Sequence, residues 1–189
     1  MKRIAIFASG SGTNAENLIR YFRTSPSGRV SLVLSNKPDA RVIERARSLD
    51  VQTMVFNREQ LYETGEVLKA LKDNGIDFIV LAGFLWLIPH SVLEAYDGRI
   101  VNIHPALLPR YGGKGMYGRR VHEAVIASGD RESGISIHYV NPRYDEGDII
   151  FQARCPVEPE DTPETLAEKI HALEYEHYPR VVEQLLEGS

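Results

Sequence analysis

The stretch Ile4-Ala5-Ile6-Phe7-Ala8-Ser9-Gly10-Ser11-Gly12-Thr13-Asn14-Ala15 decides the fold. Its five apolar residues show no polar alternation, so they read as a strand buried on both faces. The Ser-Gly-Ser-Gly turn stops that strand, and an amphipathic helix follows over about 14–23. A buried strand that feeds a helix through a glycine turn is the opening unit of a parallel α/β sheet.

The alternation continues outward from this unit. Apolar runs at 30–34, 52–56, 78–82 and 100–103 read as strands, and 42–49, 61–72 and 89–96 read as helices. After residue 104 the pattern changes. Segments 134–140 and 149–155 alternate, and the loop between them is rich in turn residues, which predicts an antiparallel pair extending the sheet. A last helix over 163–186 opens with the cap-like Asp161-Thr162-Pro163-Glu164. The expected fold is a Rossmann-like α/β domain: a mostly parallel sheet with right-handed crossovers, flanked by helices, with an antiparallel strand pair near the C-terminus. All 189 residues fit one such domain, because no repeat, low-complexity tract or linker divides them. The glycine-rich segment 111–118 reads as a mobile loop at the site.

Composition narrows the function. Hydrophobic residues make up 43% and charged residues 25%, as in an ordinary globular protein. A net charge of -4 argues against a nucleic-acid partner held by phosphate attraction. No apolar run is long enough for a membrane span, and Met1-Lys2-Arg3-Ile4 enters a strand rather than a signal peptide. The single cysteine, Cys155, excludes an internal disulfide and reads as a buried structural thiol. A cytoplasmic enzyme acting on small molecules is the expectation.

The chemistry concentrates at Val101-Asn102-Ile103-His104-Pro105. Residues two apart on a strand share a face, so the Asn102 amide and the His104 imidazole stand side by side, and Pro105 ends the strand. Attack on a carbonyl needs such a pair, one group to hold a developing oxyanion and one to move a proton. The plainer reading is a strand end whose polar groups satisfy loop backbone.

Two further segments favour the chemical reading. Tyr144-Asp145-Glu146-Gly147-Asp148 puts three acids in a turn that can return to the edge where His104 sits. A carboxylate there orients the imidazole, favours its cation or holds a water, and spacing does not say which acid does so. The turn Gly10-x-Gly12-x-x-Ala15 is also the setting of a dinucleotide fingerprint, but Ser35-Asn36-Lys37-Pro38 offers no ribose-binding acid. Ser11, Thr13 and Asn14 beside free helix N-terminal amides instead suit a phosphate monoester. His138 reads as a buried, hydrogen-bonded histidine able to support the site, whereas His90, His122 and His177 fall on helical segments and are expected on the surface. No ligand-type spacing is present, so no metal is expected.

Together Ser9-Gly10-Ser11-Gly12-Thr13-Asn14, Val80-Leu81-Ala82-Gly83-Phe84, Asn102-Ile103-His104-Pro105 with Leu107-Leu108-Pro109, and the Asp145 loop resemble the phosphoribosylglycinamide formyltransferases. That is a family of folate-dependent enzymes of purine synthesis, and the likeness keeps motif order over nearly the whole chain. It implies transfer of a formyl group from 10-formyltetrahydrofolate to the amine of glycinamide ribonucleotide, by a monomer or homodimer. By that similarity Asn102, His104 and Asp145 are catalytic, while Gly12, Thr13, Asn14 and Glu174 bind the nucleotide. Leu85, Trp86, Leu87 and Ile88, with Asn102 and the segment Asn141, Pro142, Arg143, Tyr144 and Asp145, frame the folate, and Arg58 is a candidate for its tail. Trp86 departs from the long polar side chain that family members often carry.

Four readings compete. A formyltetrahydrofolate hydrolase usually adds an N-terminal regulatory domain, and methionyl-tRNA formyltransferase usually adds a C-terminal one. The present span offers neither. A nicotinamide-dependent dehydrogenase lacks its ribose acid, and a catalytically idle binding protein leaves the filled polar roles unexplained.

Overall fold

The structure is a computed structural model that describes residues 1–188. The elements run β1 (Lys2–Phe7), α1 (Thr13–Phe22), β2 (Gly28–Ser35), α2 (Arg41–Ser48), β3 (Gln52–Val55), α3 (Arg58–Tyr62) and α4 (Glu66–Asp73). They continue with β4 (Phe78–Leu81), α5 (His90–Ala95), β5 (Ile100–His104), α6 (Arg119–Ser128), β6 (Glu132–Tyr139), β7 (Ile149–Pro156) and α7 (Pro163–Glu187).

The strands form one sheet in the order β3-β2-β1-β4-β5-β6-β7. Pairings from β3 to β5 are parallel, and β5–β6 and β6–β7 are antiparallel, as the change of pattern after residue 104 predicts. The period-2 geometry of β1 explains why its apolar run is unbroken. Ile4 and Ile6 enter the layer covered by α1, α2 and α7, whereas Ala5 and Phe7 enter the layer under α3, α4 and α5. Phe7 is fully buried, so truncating it to alanine costs about 3–5 kcal/mol.

Two local readings change. The segment 61–72 is two helices rather than one. Asn57 and Gln60 form a reciprocal capping box that starts α3, and Gly65 then takes a left-handed φ of 73° that starts α4 afresh. Cys155 is only partly buried, because β7 is the edge strand and α7 covers it incompletely.

The order places the site. From β1 the chain proceeds to β2 on one side, while β4 lies on the other, so the turns after β1 and β4 diverge and open a crevice at the carboxyl edge. Asn102 and His104 end the adjacent β5.

Candidate active site

On β5, Val101 and Ile103 point into the α1/α2/α7 layer and Ile100 into the other. Asn102 and His104 therefore share the face of Ile100, beyond the helices that cover it. The antiparallel register sets His138 opposite Asn102 and Ser136 opposite His104. Ser136 fixes the chain just after the strand, accepting from Leu108 N at 2.9 Å and donating to Ala106 O at 2.7 Å.

His138 aims the amide. Its Nδ1 lies 2.8 Å from the Tyr139 carbonyl, which can only accept, so Nδ1 carries the proton and Nε2 accepts from Asn102 Nδ2 at 3.2 Å. Asn102 keeps one N–H and its carbonyl oxygen for other partners.

His104 is 3% exposed and sits between two acceptors. Nε2 is 2.7 Å from the Tyr111 carbonyl and Nδ1 is 3.5 Å from Asp145 Oδ2. Asp145 is held in turn by Gly113 N–H at 3.1 Å, with the His138 ring 3.6 Å from its other oxygen. Of the three acids in its turn, Asp145 is the one that reaches the imidazole. Glu146 points away and pairs with Arg143 at 3.2 Å. The turn closes tightly beside β6, since a Cβ at Gly147 would stand 1.7 Å from Tyr139 O.

The electrostatics refine one expectation. Burial pushes the His104 pKa below its usual value, and His138 adds to that, although Asp145 and the Tyr111 carbonyl oppose it. A carboxylate beside the ring thus does not by itself make it cationic. Burial also pushes the Asp145 carboxyl up, but the His104 ring and the Gly113 N–H oppose it, and the group is held below the usual range. The pair is thus an imidazole that burial biases toward its neutral form, beside a carboxylate held in its ionised form.

These residues lie in the wall of a cavity of about 680 Å³. At one end is the glycine turn. Gly12 caps α1 with φ 76°, and a Cβ there would meet Val42 at 2.5 Å, so only glycine fits. No side chain caps α1, which leaves its first N–H groups and the positive end of its dipole at the cavity. Gly12, Thr13 and Asn14 all line this end. Asn14 Nδ2 donates to Glu174 Oε2 at 2.9 Å, and burial raises the Glu174 pKa to about 7. The Asn14 carbonyl oxygen is buried with no partner.

At the other end Leu85, Leu87 and Ile88 line the wall with Asn141, Arg143 and Tyr144. Trp86, Pro142 and Arg58 do not line it. The Trp86 ring instead packs edge-on against Phe56 and Phe84, and the Arg58 guanidinium sits 4.4 Å over it. An aromatic at this position turns into the hydrophobic layer, and the cation follows it. Ser9 joins the two ends. Its hydroxyl donates to Asn36 Oδ1 at 2.6 Å and accepts from Leu85 N at 3.1 Å, and its N–H donates to Gly83 O at 3.0 Å.

The sequence reading missed several residues. His122 is 4% exposed rather than on the surface, because the inner face of α6 turns it into the cavity wall. Burial lowers its pKa to about 4. His177 is partly buried against Phe151, with ring centres 5.0 Å apart, whereas His90 is exposed. Lys37 and His171 also line the cavity. Among the described residues no group of three or more His, Cys, Asp or Glu side chains is placed to hold a metal, and no helix is long and apolar enough to cross a membrane.

Comparison with known proteins agrees with this geometry. A family model described as formyl transferase matches residues 2–182. The chain is 41% identical over 192 residues to a protein of Arabidopsis thaliana named phosphoribosylglycinamide formyltransferase, chloroplastic, with 98% of this chain covered. It spans 66% of that relative's own length. Identity is 36% to phosphoribosylglycinamide formyltransferase of Bacillus subtilis, covering 98% of this chain and 95% of the relative. The crystal structure of phosphoribosylglycinamide formyltransferase from Bacillus halodurans superposes with a TM-score of 0.87 at 41% identity, covering 98% of this chain and 95% of that one.

Proposed function

The chain belongs to the formyl transferase family, and from that premise we propose that it moves the formyl group of 10-formyltetrahydrofolate to the primary amine of glycinamide ribonucleotide. The observation that carries this reading is that Asn102, His104 and Asp145 line one cavity together with a helix N-terminus and the apolar residues Leu85, Leu87 and Ile88.

The roles follow from the chemistry of the step. Transfer between two amines passes through a tetrahedral oxyanion. The Asn102 N–H left free by His138 donates to that oxygen. The attacking amine loses a proton and the folate nitrogen gains one. Neutral His104 is suited to accept the first, because Asp145 then stabilises the imidazolium, and the cation in turn supplies the second.

Thr13, Asn14 and the first amides of α1 take the nucleotide phosphate. Glu174 and the unpartnered Asn14 oxygen offer acceptors to hydroxyl or amine protons of the same substrate. Leu85, Leu87 and Ile88 hold the flat pterin, with backbone groups of 141–145 meeting its polar edge. No step needs a metal. In this reading the partners are the two small molecules alone, and the enzyme acts in the cytoplasm as a monomer or homodimer.

The direct test is mass spectrometry of the acceptor after incubation with 10-formyltetrahydrofolate. A formylated nucleotide is the expected product, and an unchanged nucleotide contradicts the proposal.

A further inference from the structure

Tyr111 is strained at its backbone and anchored at its side chain. Its φ of 56° is left-handed, a conformation that residues with a Cβ avoid, and Asp145 on the other side of His104 has the same φ. Its carbonyl lies 2.7 Å from His104 Nε2. Its hydroxyl, at the far end, hydrogen-bonds the Asp130 carboxylate and lies 2.6 Å from Ser128 Oγ, both at the C-terminal end of α6. Arg110 closes this cluster, pairing with Asp130 at 2.9 Å and lying 5.2 Å over the tyrosine ring.

We propose that Tyr111 is a positioning residue for His104. The phenol, locked to the end of α6, holds the left-handed backbone that aims the carbonyl at Nε2. A carbonyl only accepts, so Nε2 keeps its proton in both states of the ring. The proton gained and lost therefore sits on Nδ1, facing Asp145. The groups that face His104 are Asp145 from the β6–β7 turn, the Tyr111 carbonyl, His138 on β6 and His122 on α6. Asp145 and the carbonyl favour the cation and His138 opposes it. Releasing the anchor weakens one of the two favourable contacts and frees the tautomer.

This inference rests on the reading of His104 as the proton-moving group, but its primary test needs no substrate. Imidazole nitrogen shifts are followed against pH by NMR in the full chain, for wild type, Tyr111→Phe and Asp130→Ala. Wild type is expected to carry its neutral proton on Nε2. Both variants are expected to titrate His104 at lower pH with mixed tautomers, and to lose roughly tenfold to hundredfold in kcat with little change in either KM. Asp130→Ala, at a partly exposed position outside the cavity, removes the acceptor of the Tyr111 hydroxyl and keeps the test decisive if Tyr111→Phe does not fold. A wild-type proton on Nδ1 overturns the proposal, as does a His104 titration unchanged in the folded variants. An inactive wild type with the expected imidazole behaviour would instead count against the formyl-transfer reading alone.

Discussion

Asp145 Oδ2 stands 3.5 Å from His104 Nδ1, an ion-pair distance held between a carboxylate kept ionised and a ring that burial keeps neutral. Burial biases the ring toward its neutral form, and Asp145 favours the proton that the reaction would deliver to it. Replacing Asp145 with asparagine removes the charge that favours the imidazolium. Asp145→Asn is expected to lower kcat by about a hundredfold and to move the His104 titration to lower pH. Exposed Glu146 serves as the control, and Glu146→Gln should behave as wild type in the same pH–rate profiles. Greater damage from Glu146→Gln would move the role to that acid.

Asn102 and His138 form a donor and the group that aims it. Asn102→Ala removes one oxyanion donor and should lower kcat roughly a hundred- to thousandfold with substrate binding retained. His138→Ala leaves the amide in place but unaimed, so a smaller loss of the same kind is expected. The pair is checked by a double-mutant cycle, in which the second substitution should add little to the first. Full additivity would show that His138 acts on something other than Asn102.

Glu174 makes stability depend on pH. Its folded pKa of about 7 lies above the ordinary glutamate value of about 4.5, so the stabilisation it gives is complete below about 4.5 and is lost as pH rises through 7. Glu174→Gln should therefore leave the protein about 3 kcal/mol more stable than wild type at pH 8, with the difference gone at pH 4. Denaturant unfolding at the two pH values measures this. A gain of the same size at both would mean that ionisation is not the cause.

The glycine turn should serve binding rather than chemistry. Alanine at both Thr13 and Asn14 should raise the KM for the nucleotide and leave the folate KM near its wild-type value. Steady-state kinetics with each substrate varied in turn separates the two. Equal loss for both would point to a collapsed turn, which Ser9 makes a concrete possibility because it ties the turn to Leu85 and Gly83.

Much of this architecture is legible in the residues themselves. The unbroken apolar run in β1 and the alternation in β6 and β7 announce parallel and antiparallel strands through their periods. The shared face of Asn102 and His104 follows from two-residue spacing alone. What spacing leaves open is long-range. Three acids lie in one turn, and which reaches the imidazole depends on how that turn packs against Gly113. His122 falls on a helix whose inward face cannot be told without its partner α7. Trp86 lies within a run that frames the slot, yet its ring turns away to pack on Phe56 and Phe84. His138 reads from the sequence as a buried support for the site, and the β5–β6 register supplies its partner by setting it opposite Asn102.

The central claim is that the site delivers a formyl group to an amine rather than to water. The measurement that tests it most directly is the rate of 10-formyltetrahydrofolate consumption by the purified protein with and without glycinamide ribonucleotide. Phosphate capture at Gly12 to Asn14 and an amine held beside Asn102 and His104 predict consumption that depends on the nucleotide and yields formylated product in equal amount. Rapid consumption in its absence, with free formate as the product, would contradict the account and mark the site as that of a hydrolase.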